Sequence, residues 1–265
     1  MTLSYFFNLY RDIRNTIEWS SFSAFIETLL LIPLMRRVRK HTKVRIPRLK
    51  ALYRLTKELD AKGIAGDIME FGVWRGGSAA VMAYAARYSP FRRRVWLFDS
   101  FRGNSSPTAK DGALVHERFH TGWNKAAAQD AGQLFTRLRI APDRYRMIKG
   151  WFHETIPSVA APAIALIHFD ADMEEAAKIS LEKFYDYVMP GGYMVFNSWA
   201  VREGVQRVWQ EVVAARGDTP LRVPIDAVAC YFEKPSRKER IEKDHYHVLK
   251  HDTKRRFISY WHQIN

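Results

Sequence analysis

The 265-residue chain has a single cysteine, Cys230, and so cannot form an internal disulfide. That suits a reducing compartment, and within Val-Ala-Cys-Tyr-Phe the residue reads as a small core side chain. Acids are scarce beside bases, 28 against 42, which leaves a formal net charge of +14. Such a surplus points to an anionic partner (nucleic acid, acidic glycan or membrane surface) and carries no information on fold. No recognised nucleic-acid motif accompanies it, so no nucleic-acid partner is expected. Long apolar runs are also missing. The strongest, residues 22–35, is too short to span a bilayer and is interrupted by Glu27 and Pro33. It lacks the basic leader and cleavage site of a signal peptide, so a cytoplasmic protein is expected, at most peripheral at the inner face of the membrane. With 47% hydrophobic residues the chain is globular, and its length fits one large domain or one domain with extensions.

The strongest local signal is residues 66–78, Gly-Asp-Ile-Met-Glu-Phe-Gly-Val-Trp-Arg-Gly-Gly-Ser. A hydrophobic strand carries Glu70, glycines follow at 72, 76 and 77, and a small-residue helix starts at Ser78. Glycines let backbone approach a ligand, and a helix start presents free N–H groups. A plain strand-to-helix turn would use the same residues. One strand later, residues 94–100 read Arg-Val-Trp-Leu-Phe-Asp-Ser and end on Asp99 and Ser100. An acid at the tip of a second parallel strand can accept hydrogen bonds from both ribose hydroxyls of a nucleoside. Turn and acid together favour a nucleoside-containing cofactor over a purely structural turn.

These two segments, with Trp-Leu-Phe-Asp-Ser-Phe-Arg-Gly at 96–103, resemble the macrocin O-methyltransferase family. Three later stretches agree: Lys-Gly-Trp-Phe-His-Glu-Thr-Ile-Pro at 149–157, Ile-Ala-Leu-Ile-His-Phe-Asp-Ala-Asp at 164–172, and 181–197 with its Pro-Gly-Gly-Tyr. The resemblance spans roughly residues 50–234. It implies a Rossmann-like α/β class I fold: a mostly parallel central sheet flanked by helices. It also implies S-adenosylmethionine as methyl donor and a sugar or glycan hydroxyl as acceptor. The donor would lie against Glu70, Gly72, Trp74, Gly76, Ser78, Asp99 and Ser100, with Gly150 and Trp151 toward the adenine. A homo-oligomer is a further expectation, because family members often assemble.

The acceptor side falls on the tips of the fourth and fifth strands. Asp170 and Asp172, two residues apart, could hold a cation or act as acid and base. His168, two residues before the tip, lies on the same strand face as Asp170, and is either a base or a core histidine. Here the chain departs from the family it resembles. Sugar-modifying members carry two aspartates at the fifth-strand tip and complete a magnesium site with the fourth-strand acid, but this chain has Asn197 and Ser198. An amide and a hydroxyl are neutral, weaker ligands, so any metal held by Asp170 and Asn197 is expected to be weak or absent. The candidate bases are then Asp170, Asp172, His168 and His153.

Further elements follow from periodicity: helices at 47–61, 78–87, 131–138, 174–188 and 204–216, and strands at 67–71, 95–98, 145–148, 163–169 and 193–196, with final strands within 224–233. Pro190-Gly-Gly-Tyr reads as a turn before the fifth strand. Residues 103–133 form a long connection at the sheet's carboxyl edge, where a substrate loop would sit, and contain the pair His116 and His120. The organisation is therefore a helical, basic extension at 1–48, a methyltransferase domain at 49–234, and a basic aromatic extension at 235–265. In the first, Phe22, Phe25, Ile26, Leu29 and Leu30 share a helical face ahead of seven Lys or Arg between 36 and 48. That layout suits either an anionic membrane surface or a helix packed on the domain. In the last, His245, His247 and His251 cluster, and Lys254, Arg255 and Arg256 neighbour Phe257, Tyr260 and Trp261. Two rivals to the enzyme reading remain: a non-catalytic module of this fold at a membrane or in a complex, and a nucleic-acid methyltransferase motivated by charge alone.

Overall fold

The computed structural model describes residues 22–112, 115, 117 and 119–236, with side chains from 28 onward. The C-terminal histidine cluster, His116 and the first 21 residues lie outside the described residues. Two helices lead in, α1 (Phe22–Val38) and α2 (Ile46–Ala61). Then come β1 (Asp67–Phe71), α3 (Gly77–Ala85), β2 (Val95–Asp99), α4 (Ala128–Arg137) and β3 (Tyr145–Lys149). A short helix α5 (Phe152–Thr155), β4 (Ile164–Phe169), α6 (Glu174–Phe184), β5 (Val188–Phe196), α7 (Glu203–Ala214), β6 (Arg222–Pro224) and β7 (Cys230–Glu233) complete the order. The seven strands form one sheet, β3-β2-β1-β4-β5-β7-β6, parallel from β3 to β5 and antiparallel at β7 and β6.

The strands read as near-continuous apolar runs because both sheet faces are covered. Side chains alternate between two cores. Ile68, Val95 and Leu97 pack with α1, α2, α3 and α4, while Met69, Phe71, Trp96 and Phe98 pack with α6 and α7. Cys230 sits in the second core, where burial pushes its thiol up to about 12. Arg93, fully buried, holds Asp60 at the end of α2 (2.9 Å) and the Gly66 carbonyl (2.7 Å), which fixes the entry to β1. A buried guanidinium is tolerated because its donors are taken.

Three expectations are corrected. Pro190-Gly-Gly is not a turn ahead of β5 but part of it. Ile164 pairs with Val188 and Leu166 with Tyr193, so β5 bulges past β4, with Gly191 at φ +78°. The 174–188 helix gives way after Phe184 to a 3-10 turn at Tyr185–Tyr187. In α1, Leu29 and Leu30 point outward and Leu31, Leu34, Met35 and Val38 enter the first core. The run is apolar nearly all round, so periodicity did not select the inward face; docking on α3 did. The described part of the N-terminal extension is thus packed on the domain. No helix among the described residues is long and apolar enough to cross a membrane.

Candidate active site

A cavity of about 590 Å³ opens at the carboxyl ends of β1, β2, β4 and β5. Ligands in open α/β sheets bind at this edge, where the order of connection reverses. Here that point lies between β1 and β4, whose chains leave the sheet in opposite directions.

The first wall is the turn after β1. Gly72 has φ +87°, and a Cβ there would lie 2.4 Å from the Asp170 carbonyl oxygen, so only glycine lets the β1 and β4 tips pass. Gly72→Ala is expected to destabilise the fold by about 2–3 kcal/mol, combining left-handed strain with a backbone clash, as read by urea unfolding. Asp99 braces the same turn. Its Oδ2 accepts the backbone N–H of Val73 (2.7 Å) and Trp74 (2.8 Å), and its Oδ1 accepts that of Phe101 (2.6 Å). Trp74 and Phe101 both have positive φ, +50° and +55°, so the carboxylate holds two strained residues in place. Burial raises the Asp99 pKa and the three N–H donors oppose that rise. Both lone pairs of Oδ2 are used, leaving room on Oδ1 for one further hydrogen bond where the sequence suggested two.

Of the other residues assigned to the donor, Ser78, Ser100 and Trp151 line the cavity with Gly72, Trp74 and Asp99. Glu70, Gly76 and Gly150 do not. Gly76 (φ +84°) starts α3, and a Cβ there would lie 2.7 Å from the Ala131 Cβ: it is a glycine of helix packing. Gly150 is tight against Thr155. Glu70 is fully buried and its Oε1 lies 2.7 Å from His168 Nδ1. Register places them side by side on β1 and β4, so a buried acid and a buried histidine pair through Oε1 beneath the cavity, while Glu70 Oε2 is buried without a partner among the described residues. His168, 1% exposed, does not line the cavity: β4 ends at Phe169, and Asp170 already belongs to the loop.

The opposite wall carries Asp170, Asp172, Asn197 and Ser198. Asp170 Oδ1 accepts the Asn197 amide N–H at 2.7 Å. Burial pushes its carboxyl up to about 7; His168 and the Asn197 amide pull it down, while Asp172 adds to the rise. Asp172, at φ +61°, is paired with Arg202 at 2.7 Å, whose guanidinium lies over Phe119. His153 also borders the cavity but is largely exposed. Among the described residues no group of three or more His, Cys, Asp or Glu is placed to hold a metal ion.

The long connection closes the third side. Its ends are tied by Asn104 N–H to the Trp123 carbonyl (2.7 Å) and Gly122 N–H to the Asn104 carbonyl (2.9 Å). Trp123 meets Phe119 edge-on and faces the cavity, and Lys43 Nζ stands over both Trp74 and Trp123, at 5.1 and 5.2 Å. Lys43, Arg48, Arg202 and Trp123 were not singled out by the sequence. The first two were lost in a basic run, and Arg202 carried no signal.

The sheet order, the braced glycine turn and the acids across from it define the class I methyltransferase fold. The family model described as Macrocin-O-methyltransferase (TylF) matches residues 37–234, and the chain belongs to that family. A Streptomyces olivaceus protein, 8-demethyl-8-(2,3-dimethoxy-alpha-L-rhamnosyl)-tetracenomycin-C 4'-O-methyltransferase, is 32% identical over 167 residues, 61% of this chain and 63% of the relative. Mycinamicin III 3''-O-methyltransferase of Micromonospora griseorubida is 28% identical over 61% of this chain and 66% of its own. The chain spans under two thirds of the length of these curated relatives. Among solved structures, the O-methyltransferase NovP matches with TM-score 0.67 and 25% identity over 74% of this chain and 83% of its own. A calicheamicin methyltransferase, at 19% identity, TM-score 0.60 and 88% and 93% coverage, shares the fold.

Proposed function

We propose that this protein transfers the methyl group of S-adenosylmethionine to a hydroxyl of a sugar. The observation that carries the reading is the meeting, in one cavity, of the Asp99-braced turn and the partly buried carboxylate of Asp170. Family membership and a relative named for O-methylating a rhamnosyl-bearing compound support it.

The donor supplies an electrophilic methyl on a sulfonium. The chain's residues do the rest. Gly72, Trp74 and Ser78 form the wall for its amino-acid end, and Asp99 has one lone pair left for a ribose hydroxyl. Asp170 Oδ1 is anchored by Asn197, which leaves Oδ2 for the acceptor hydroxyl. With donor and acceptor bound, the methyl would pass from sulfur to the acceptor oxygen, and Asp170 is placed to take the hydroxyl proton. Most of the acceleration comes from holding oxygen, methyl and sulfur in line, with the base adding to it. Trp123 and Phe119 offer apolar faces to the C–H surface of a sugar.

Calorimetric titration with S-adenosylhomocysteine tests the donor site, with saturable binding expected. Methyl transfer from labelled S-adenosylmethionine to rhamnosylated acceptors tests the acceptor class. Folded protein that binds no S-adenosylhomocysteine would instead support the non-catalytic module.

A further inference from the structure

The fifth-strand amide has been recruited by an arginine that the sequence gave no reason to notice. Arg48, in the first turn of α2, reaches across to the tip of β5. Its Nη1 donates to both oxygens of Asn197, the backbone carbonyl at 2.7 Å and Oδ1 at 3.1 Å. Its Nε donates to Asp226 Oδ2 at 2.6 Å, in the turn between β6 and β7. Asp226 is itself fixed, its Oδ1 accepting the N–H groups of Val228 and Ala229 at 2.8 Å each.

The orientation of the amide follows from donor chemistry. A guanidinium has five N–H donors and no acceptor, so the amide must turn its oxygen toward Arg48. Its nitrogen then faces Asp170, and an N–H meets Asp170 Oδ1 at 2.7 Å. The reverse rotamer would set N–H against N–H and oxygen against carboxylate. The series Asp226, Arg48, Asn197, Asp170 is therefore a single hydrogen-bonded chain with one sense.

The same contacts conflict with a divalent cation. Magnesium needs oxygen ligands in near-octahedral array. Asn197 turns a donor toward Asp170, and both of its oxygens face a cation already. The other acid of the site, Asp172, is neutralised by Arg202. Positive charge that a metal would bring is supplied by two guanidinium groups, both largely buried. The residues present do not fit the magnesium site that the family resemblance implies.

We propose that Arg48 is a positioning residue that turns Asn197 into a hydrogen-bond donor for Asp170, and that the site works without a divalent cation. This rests on the reading of Asp170 as the group that meets the acceptor. The test has two readouts that need no acceptor. The first is Mn2+ binding to the S-adenosylhomocysteine-loaded protein, followed by loss of the free-ion electron paramagnetic resonance signal. Wild type is expected to match Asp170→Asn; saturable Mn2+ binding to wild type that Asp170→Asn abolishes would overturn the proposal. The second is the side-chain NH2 resonance of Asn197 in 15N-labelled protein, assigned by its disappearance in Asn197→Asp. It is expected downfield in wild type, nearly unchanged in Arg48→Lys, which keeps a cationic donor, and shifted toward the free-amide position in Arg48→Gln. An unchanged resonance in an Arg48→Gln variant that still folds would overturn it. Should Arg48→Gln fail to fold, Asp226→Asn, which loosens the hold on Arg48, takes its place in the amide readout with the same expected shift and the same overturning result, and the Mn2+ readout on wild type decides the metal half. Failure of wild type to bind S-adenosylhomocysteine would count against the functional reading alone, because Mn2+ and amide measurements can be made on the unloaded protein.

Discussion

Asp170→Asn should lower turnover by about 100- to 10,000-fold, the usual loss when a positioned base is removed. S-adenosylhomocysteine affinity should stay close to wild type, because Asp170 lies across the cavity from the turn after β1, the proposed donor wall. The wild-type pH profile is the second half of the test. Asp170 accepts a proton only when ionised, and burial pushes its carboxyl up to about 7. The rate should therefore rise as pH climbs through about 7 and level off above it, and Asp170→Asn should erase that limb. The sign for stability is opposite. A carboxyl whose pKa is raised on folding binds its proton more tightly in the folded state. Its contribution favours folding at low pH and is lost as pH rises from the ordinary carboxylate range to about 7. Asp170→Asn should flatten that part of the stability curve. A variant with unchanged turnover would remove Asp170 from the mechanism and return attention to Asp172.

Asp99→Ala should weaken S-adenosylhomocysteine binding by about 100-fold or more, roughly 2.7 kcal/mol. The effect has two sources. One is the lone pair facing the cavity. The other is larger: three backbone N–H groups lose their acceptor, and Trp74 and Phe101 lose what keeps them at positive φ. Asp99→Asn keeps one oxygen and should fall between alanine and wild type. Calorimetry gives the affinities, and far-ultraviolet circular dichroism checks that the sheet survives. Affinity unchanged in Asp99→Ala would mean that this cavity is not where the donor binds.

Much of this architecture was legible before the structure. Strands alternating with helices could be read off the chain, and the family resemblance implied the mostly parallel sheet that they form. Gly72, Asp99, Asp170 and Asn197, picked out at the strand tips, all line the one cavity. The glycines were ambiguous for a physical reason. Gly72 yields to the β4 tip and Gly76 to α4, and sequence does not distinguish a glycine vacated for a ligand from one vacated for a neighbouring element. Bulges hide similarly: the extra residues at 190–192 read as a turn because Pro-Gly-Gly serves both.

What the sequence by itself determined is the order of strands, turns and helices, because each depends on local periodicity and turn residues, while the sheet they build was implied by the family resemblance. The tertiary structure alone decided which polar groups meet. Glu70 and His168 were both expected near the chemistry, but strand register made them partners beneath it. Arg48 and Asn197 are 149 residues apart, and Arg202 and Asp172 are 30 apart, with α6 and β5 between them. Those pairings depend on how α2 and α7 dock on the sheet, and no local pattern of residues encodes that placement. Docking thereby brought two guanidinium groups onto the polar residues at the tips of β4 and β5.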